Sequence, residues 1–269
     1  MITADTHVHS TASNDSGVPM TDSISQAIKQ GLTTICFTDH LDIRDGKIPY
    51  IDYPEGYTRW QRTLAEYAAL GGQYQIDVLL GAEIAEIPQD PALARDYATR
   101  HPLDFILGSI HALPGHQDFY LLQFESQTQC EALTVAYLEE NLALAELDIA
   151  DSIGHIGYTN RYMANQGFYM DLMDYQPLLT KIFETQIKHG KAIEVNSSGL
   201  RQTVGQPFPH GDVLGLYYKL GGRMVTIGSD AHQAADVGSH FDQVEALLKN
   251  VGFTHYTVFK QREPVCFPL

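Results

Sequence analysis

Residues 2–10, Ile-Thr-Ala-Asp-Thr-His-Val-His-Ser, decide how this chain is read. An apolar, strand-like run ends on His7 and His9, two residues apart. Imidazole and carboxylate are the side chains that hold Zn, Fe and Mn ions. One such pair at a strand end is equally well explained by hydrogen-bonded structural residues. Repetition gives it weight. The runs Thr33–Asp39, Asp77–Glu83, Phe105–His111, Asp151–His155, Ala192–Asn196 and Met224–Asp230 each bring a His, Asp or Glu to or beside the end.

Stretches of helical periodicity separate these runs. Thr21 caps a segment bearing Ile24, Ala27 and Ile28 that stops at Gly31. Trp60, Leu64, Tyr67 and Ala68 form the next apolar stripe, and residues 128–148 carry a long one. Leu178, Ile182 and Phe183 precede a stop at Gly190, and Phe241, Val244, Leu247, Leu248 and Val251 mark the last helix. Alternation of this kind predicts an α/β fold with a parallel sheet. Seven units predict a distorted, TIM-like (β/α)7 barrel. A short run, Tyr256–Phe259, is expected as an edge or barrel-closing strand. No linker, repeat or low-complexity stretch divides the chain, so residues 1–269 are expected to form a single domain. In such barrels the loops after the strands build the site, and the candidate ligands fall there.

Composition narrows the function. Lys and Arg number 17 against 33 Asp and Glu, a formal charge of −16. That field disfavours nucleic acid polymers and anionic membranes as partners. It would repel a phosphate ester too, unless bound divalent cations reverse the sign locally. No apolar stretch reaches the length of a membrane span, and the first residues lack the pattern of a secretory leader. A cytoplasmic protein is expected. Cys36, Cys130 and Cys266 are far apart, without a CxxC pair, which argues against a disulfide framework or a thiolate zinc site.

The candidate ligands in order are His7, His9, Asp15, His40, Glu83, His111, His155, Asp230 and His232. Each metal of a hydrolytic site takes about three protein ligands and keeps a position open. Nine ligands with one bridging carboxylate therefore suit three divalent ions, whether Zn, Fe or Mn.

The ordered motifs HVH, TDH, the lone Glu83, the lone His111, GH and SDAH, spanning Asp5 to His232, resemble those of the PHP (polymerase and histidinol phosphatase) family. The resemblance implies a three-metal site. His7, His9, Glu83 and Asp230 would hold the first ion. Glu83 would bridge to a second completed by His111 and His155. Asp15, His40 and His232 would hold the third. Asp5 would orient a ligand imidazole. Glu194 is equally readable as a structural strand residue.

Two arginines lie just past ligand-bearing runs, Arg161 in GHIGYTNRY and Arg201 in EVNSSGLR. Guanidinium suits bidentate grip on phosphate. EVNSSGLR also resembles the segment of the histidinol-phosphate-hydrolysing members whose arginines bind the substrate phosphate, with Asn196 and Ser198 positioning the loop. The expected reaction is phosphomonoester hydrolysis. Metal lowers the pKa of water to about 7, and the resulting hydroxide attacks phosphorus. The metals, with Arg161 and Arg201, would stabilise charge on the phosphoryl oxygens, Glu83 would serve catalysis by bridging two of the ions, and Asp42 would protonate the leaving alcohol. The expected substrate, L-histidinol phosphate, carries an amine and an imidazole, so an acidic or aromatic pocket is expected near Tyr50, Tyr53 or Tyr158. The rivals are another small phosphate ester, such as a nucleotide, and a metal-binding protein without turnover.

Overall fold

The structure is a computed structural model that describes residues 1–43, 53–72 and 74–269, with the backbone alone at 53–56. Seven strands form one parallel sheet in sequential order: β1 (Ala4–Val8), β2 (Thr34–Phe37), β3 (Asp77–Ala85), β4 (Phe105–Ser109), β5 (Ser152–Ile153), β6 (Ala192–Asn196) and β7 (Val225–Gly228). The sheet curls until its ends meet. Val8 bridges Ala231 in parallel, His9 N–H donates to Ala231 O at 3.0 Å, and Asp230 N–H donates to His7 O at 2.8 Å. The result is the expected seven-stranded, nearly closed barrel in a single domain.

The helices are α1 (Met20–Lys29), α2 (Tyr53–Ala69), α3 (Pro91–Arg100), α4 (Gln127–Leu147), α5 (Tyr158–Asn165), α6 (Gln176–His189), α7 (Gly211–Lys219) and α8 (Phe241–Val251). Every residue of β1, β2, β4, β6 and β7 is buried. Strands covered on both faces read as continuous apolar runs, which is why the sequence shows them clearly.

Three expectations need correction. Helix α1 starts at Met20 after Pro19, with no side-chain cap, so Thr21 lies inside its first turn. The capping oxygen comes from a distant residue instead: Glu66 Oε1 accepts the Met20 N–H at 2.7 Å, and the Pro19 carbonyl accepts that of Asp22 at 3.0 Å. The helices α3, α5 and α7 had no sequence-level assignment. The run near Tyr256 neither closes nor edges the barrel. It forms β8 (His255–Lys260), which pairs antiparallel with β9 (Glu263–Pro268) as a separate hairpin.

The turn of that hairpin caps the N-terminal mouth of the barrel. Lys260 pairs with Asp77, Gln261 N–H donates to Asp104 Oδ1 at 3.0 Å, and Arg262 grips the fully buried Asp151. Arg262 also donates to Ile149 O at 2.7 Å. Among the described residues no helix is long and apolar enough to cross a membrane.

Candidate metal centre

The opposite mouth, at the strand C-termini, gathers the expected ligands. β1 leads into His7 and His9, β2 into His40, and β3 carries Glu83. His111 follows β4, His155 follows β5, and Asp230 and His232 follow β7. Glu83 stands at the middle with its two oxygens turned to different partners. Oε1 lies 2.9 Å from His155 Nε2 and 3.2 Å from His111 Nε2. Oε2 lies 2.9 Å from His40 Nδ1, 3.5 Å from His7 Nε2 and 3.6 Å from His9 Nε2. Asp230 Oδ1 lies 3.7 Å from His7 Nε2 and 3.5 Å from both His9 Nε2 and His232 Nδ1. Asp15 Oδ2 completes the rim, 3.1 Å from His232 Nε2 and 3.5 Å from His40 Nε2.

All nine candidates therefore meet in one cluster. Four triads bring their donor atoms within 4.8 Å of one another: His7–His9–Asp230, His7–Glu83–His155, His40–Glu83–His111 and His9–His40–His232. The grouping is more interlaced than the partition drawn from the sequence, because His40 reaches Glu83 and His111 as well as the Asp15 rim.

The donor chemistry fits cations. His7 Nδ1 donates to Glu194 Oε1 at 2.6 Å. His9 Nδ1 donates to Ser13 Oγ at 3.0 Å, whose own proton goes to Asp39 Oδ1 at 2.8 Å. With Nδ1 engaged in each ring, both imidazoles turn Nε2 inward, where the two atoms lie 3.0 Å apart. A metal ion there would take the place of the proton shared between them. His155 Nδ1 is a buried atom without a hydrogen-bond partner among the described residues.

Residues around the cluster fix these orientations. Glu194 also accepts from His155 N–H at 2.8 Å and from Asn196 Nδ2 at 3.1 Å. Asp39 accepts from Ser10, Ser13 and Thr63. Gly228 leaves the room that Glu194 needs, since a Cβ there would stand 2.2 Å from Glu194 Oε1 and 2.4 Å from His7 Cβ. His155 and Asp230 both sit at positive φ, 22° and 55°, backbone conformations that L residues rarely adopt and that cluster at functional sites. Asp5 does not orient an imidazole. Its carboxylate accepts the backbone N–H groups of His7, Ser229 and Gly238, tying β1 to the segment after β7. Glu194 performs the role expected of Asp5.

Electrostatics follow the crowding. Burial would raise the Glu83 carboxyl, but His111, His7 and His40 outweigh it and hold Glu83 well below the usual range. Asp230 is likewise low despite its burial, because Arg161 and His7 face it. His9 is pushed well down by burial and by the neighbouring His232 and His40.

A cavity of about 670 Å³ opens over the cluster and is lined by Asp15, His40, His111 and His232 together with Asp42, Arg161 and Arg201. Arg161 lies on α5 rather than in a loop. It donates to Asp230 Oδ2 and to Ser198 Oγ, both at 2.6 Å, and its Nε is buried with no partner among the described residues. Arg201 ends a 3-10 turn, Ser197–Arg201. Its guanidinium donates to Ser239 Oγ at 2.6 Å and Ser229 O at 2.8 Å, so part of its donor fork already holds the segment after β7. Ser198 N–H and Oγ both donate to Asn196 Oδ1, which shapes this turn. Asp42 Oδ1 stands 3.9 Å from Nδ1 of both His40 and His111. Buried Glu86 receives the N–H groups of His111 and Ala112, and His116 is exposed. Tyr50 and the side chain of Tyr53 lie outside the described residues.

Residues 5–198 match the PHP domain family, and the chain belongs to it. A Thermotoga maritima protein named as a probable histidinol-phosphatase is 30% identical over 254 residues, covering 94% of each chain. A Lactococcus lactis histidinol-phosphatase is 26% identical over 264 residues, covering 95% of this chain and 93% of that one. The fold matches the crystal structure of a Lactococcus lactis histidinol phosphate phosphatase complexed with zinc, L-histidinol and phosphate. Its TM-score is 0.76 at 24% identity, over 98% of both chains.

Proposed function

We propose that the chain is a metal-dependent phosphomonoesterase that hydrolyses L-histidinol phosphate to L-histidinol and phosphate, a cytoplasmic step of histidine biosynthesis. Residues 1–269 act as one catalytic domain. The observation that carries this reading is the convergence of six imidazoles and three carboxylates beside two guanidinium groups at one barrel mouth. Family membership and the names of the relatives support the same activity.

Three divalent ions fit the donors. His7, His9, Glu83 and Asp230 would hold the first, Glu83, His111 and His155 the second, and Asp15, His40 and His232 the third. The ion bound in the Lactococcus structure favours zinc, and the rich imidazole set suits zinc or iron better than manganese. When bound, such ions acidify water to a pKa of about 7 and neutralise charge on phosphoryl oxygens. Glu83 offers one oxygen to each side of the cluster and so fixes its spacing. Arg161 and Arg201 grip the phosphoryl oxygens, whose charge spreads as the ester P–O bond lengthens. Asp42, on the cavity wall, passes a proton to the departing alcohol oxygen.

Phosphate release tests this reading. Metal-replete protein is expected to prefer L-histidinol phosphate over nucleoside monophosphates by kcat/KM. His7→Ala should lose metal and most turnover, whereas Arg201→Ala should keep metal and lose kcat/KM. Better cleavage of nucleotides would overturn the substrate. Absence of phosphate release from every ester would leave a metal-binding protein.

A further inference from the structure

The same cavity extends past Arg161 to a wall made by Asp118, Tyr120, Tyr158 and Tyr162, of which the sequence singles out Tyr158 alone. Tyr158 opens α5 and lays its ring beside His111 and His155, with centroids 4.9 and 5.0 Å away. Its hydroxyl donates to Asp118 Oδ1 at 3.3 Å, and Tyr162 donates to the Tyr158 oxygen at 3.0 Å. The carboxylate is also held from its own side. Asp118 Oδ1 accepts Tyr120 N–H at 2.8 Å, and the Asp118 backbone bridges Ala112, the residue after His111. One tyrosine side chain thus separates a fixed carboxylate from the metal-ligating imidazoles. Tyr120 meets Tyr162 edge-on at 5.8 Å and adds aromatic surface.

The charges along this cavity have a direction. Two guanidinium groups stand at the phosphoryl end, and a carboxylate flanked by aromatic faces stands beyond Tyr158. A carboxylate with aromatic neighbours is the usual receptor for an ammonium or protonated heterocycle. An ester that is anionic at one end and cationic at the other matches this polarity, and a neutral alcohol ester does not. We propose that Asp118, positioned by the Tyr158 hydroxyl, binds the cationic end of the leaving alcohol and sets the enzyme's preference for amine- or imidazole-bearing phosphate esters. This inference rests on the phosphomonoesterase reading above and adds to it the group that selects the alcohol.

The test compares L-histidinol phosphate with 3-phenylpropyl phosphate, an ester of matched length without amine or imidazole. Asp118→Asn keeps an oxygen for Tyr120 N–H and Tyr158 while removing the charge. A charge-assisted hydrogen bond lost from a half-buried site reads as roughly 10- to 100-fold. Asp118→Asn is therefore expected to lower kcat/KM for L-histidinol phosphate by about that factor, mostly through KM. It should leave the neutral ester within about threefold and metal content unchanged. Tyr158→Phe, which frees the carboxylate without removing it, should give a smaller loss with the same selectivity. Equal losses on both esters, or none on L-histidinol phosphate, would overturn the assignment of Asp118. Wild-type protein inert toward both esters would instead remove the phosphomonoesterase reading, and this inference with it.

Discussion

Glu194 Oε1 accepts the Nδ1 proton of His7 at 2.6 Å, and this bond turns His7 Nε2 toward His9, Glu83 and Asp230. A carboxylate behind an imidazole fixes its tautomer and raises its strength as a ligand. Both partners are buried, so water does not compete for the bond.

Glu194→Gln is accordingly expected to weaken metal binding by about 10- to 100-fold while the barrel stays folded. Competition against a chromophoric chelator measures this directly. Unchanged affinity would return Glu194 to the status of a structural strand residue.

Metal uptake should depend on pH with a definite sign. In the metal-free centre, burial alone would lower His111, but Glu83 outweighs it and lifts the imidazole to about 9. His7 and His40 are also raised well above the usual value against their burial, His7 by Glu194 and Glu83, His40 by Asp15 and Glu83. Near neutral pH these rings therefore hold protons that a metal must displace. Affinity should rise from about pH 6 to 8, because fewer protons compete as the raised values are approached. Adding metal to stripped protein in weak buffer should acidify the solution. No proton release would contradict this account.

The far mouth offers a contrasting variant. Arg262→Ala strips the fully buried Asp151 of its guanidinium, leaving Lys191 Nζ at 3.3 Å as its remaining cation. Breaking such a pair costs about 3 kcal/mol. Thermal or denaturant unfolding should show that loss, with metal content and kcat/KM intact below the new midpoint. A loss of activity in folded protein would mean that the two mouths are coupled.

The sequence made most of the ligands legible because they sit at or beside the point where a buried strand gives way to a loop, and a polar group there stands out against apolar neighbours. Glu194 occupies the same kind of position in β6 as Glu83 does in β3, two residues before the strand ends. Only the fold shows that it stands behind His7 rather than among the ligands. Ser13, Asp39 and Asp118 were illegible for a related reason: their partners are 4 to 40 residues away and are set by barrel closure. Arg161 was identified but placed in a loop, since the short α5 begins at a glycine with no side-chain cap to announce it. The hairpin near Tyr256 shows the converse. Its apolar run is real, yet nothing local distinguishes a strand that joins the barrel from one that pairs with its own successor.

The contacts between Val8 and Ala231 carry a last consequence. His7 and His9 stand at the first stave of the barrel and Asp230 just past the last, so a cation shared among them would rivet the seam shut. Stripping that rivet should loosen the joint before it disturbs the staves opposite, and amide hydrogen exchange along β1 and β7 should be the first to quicken.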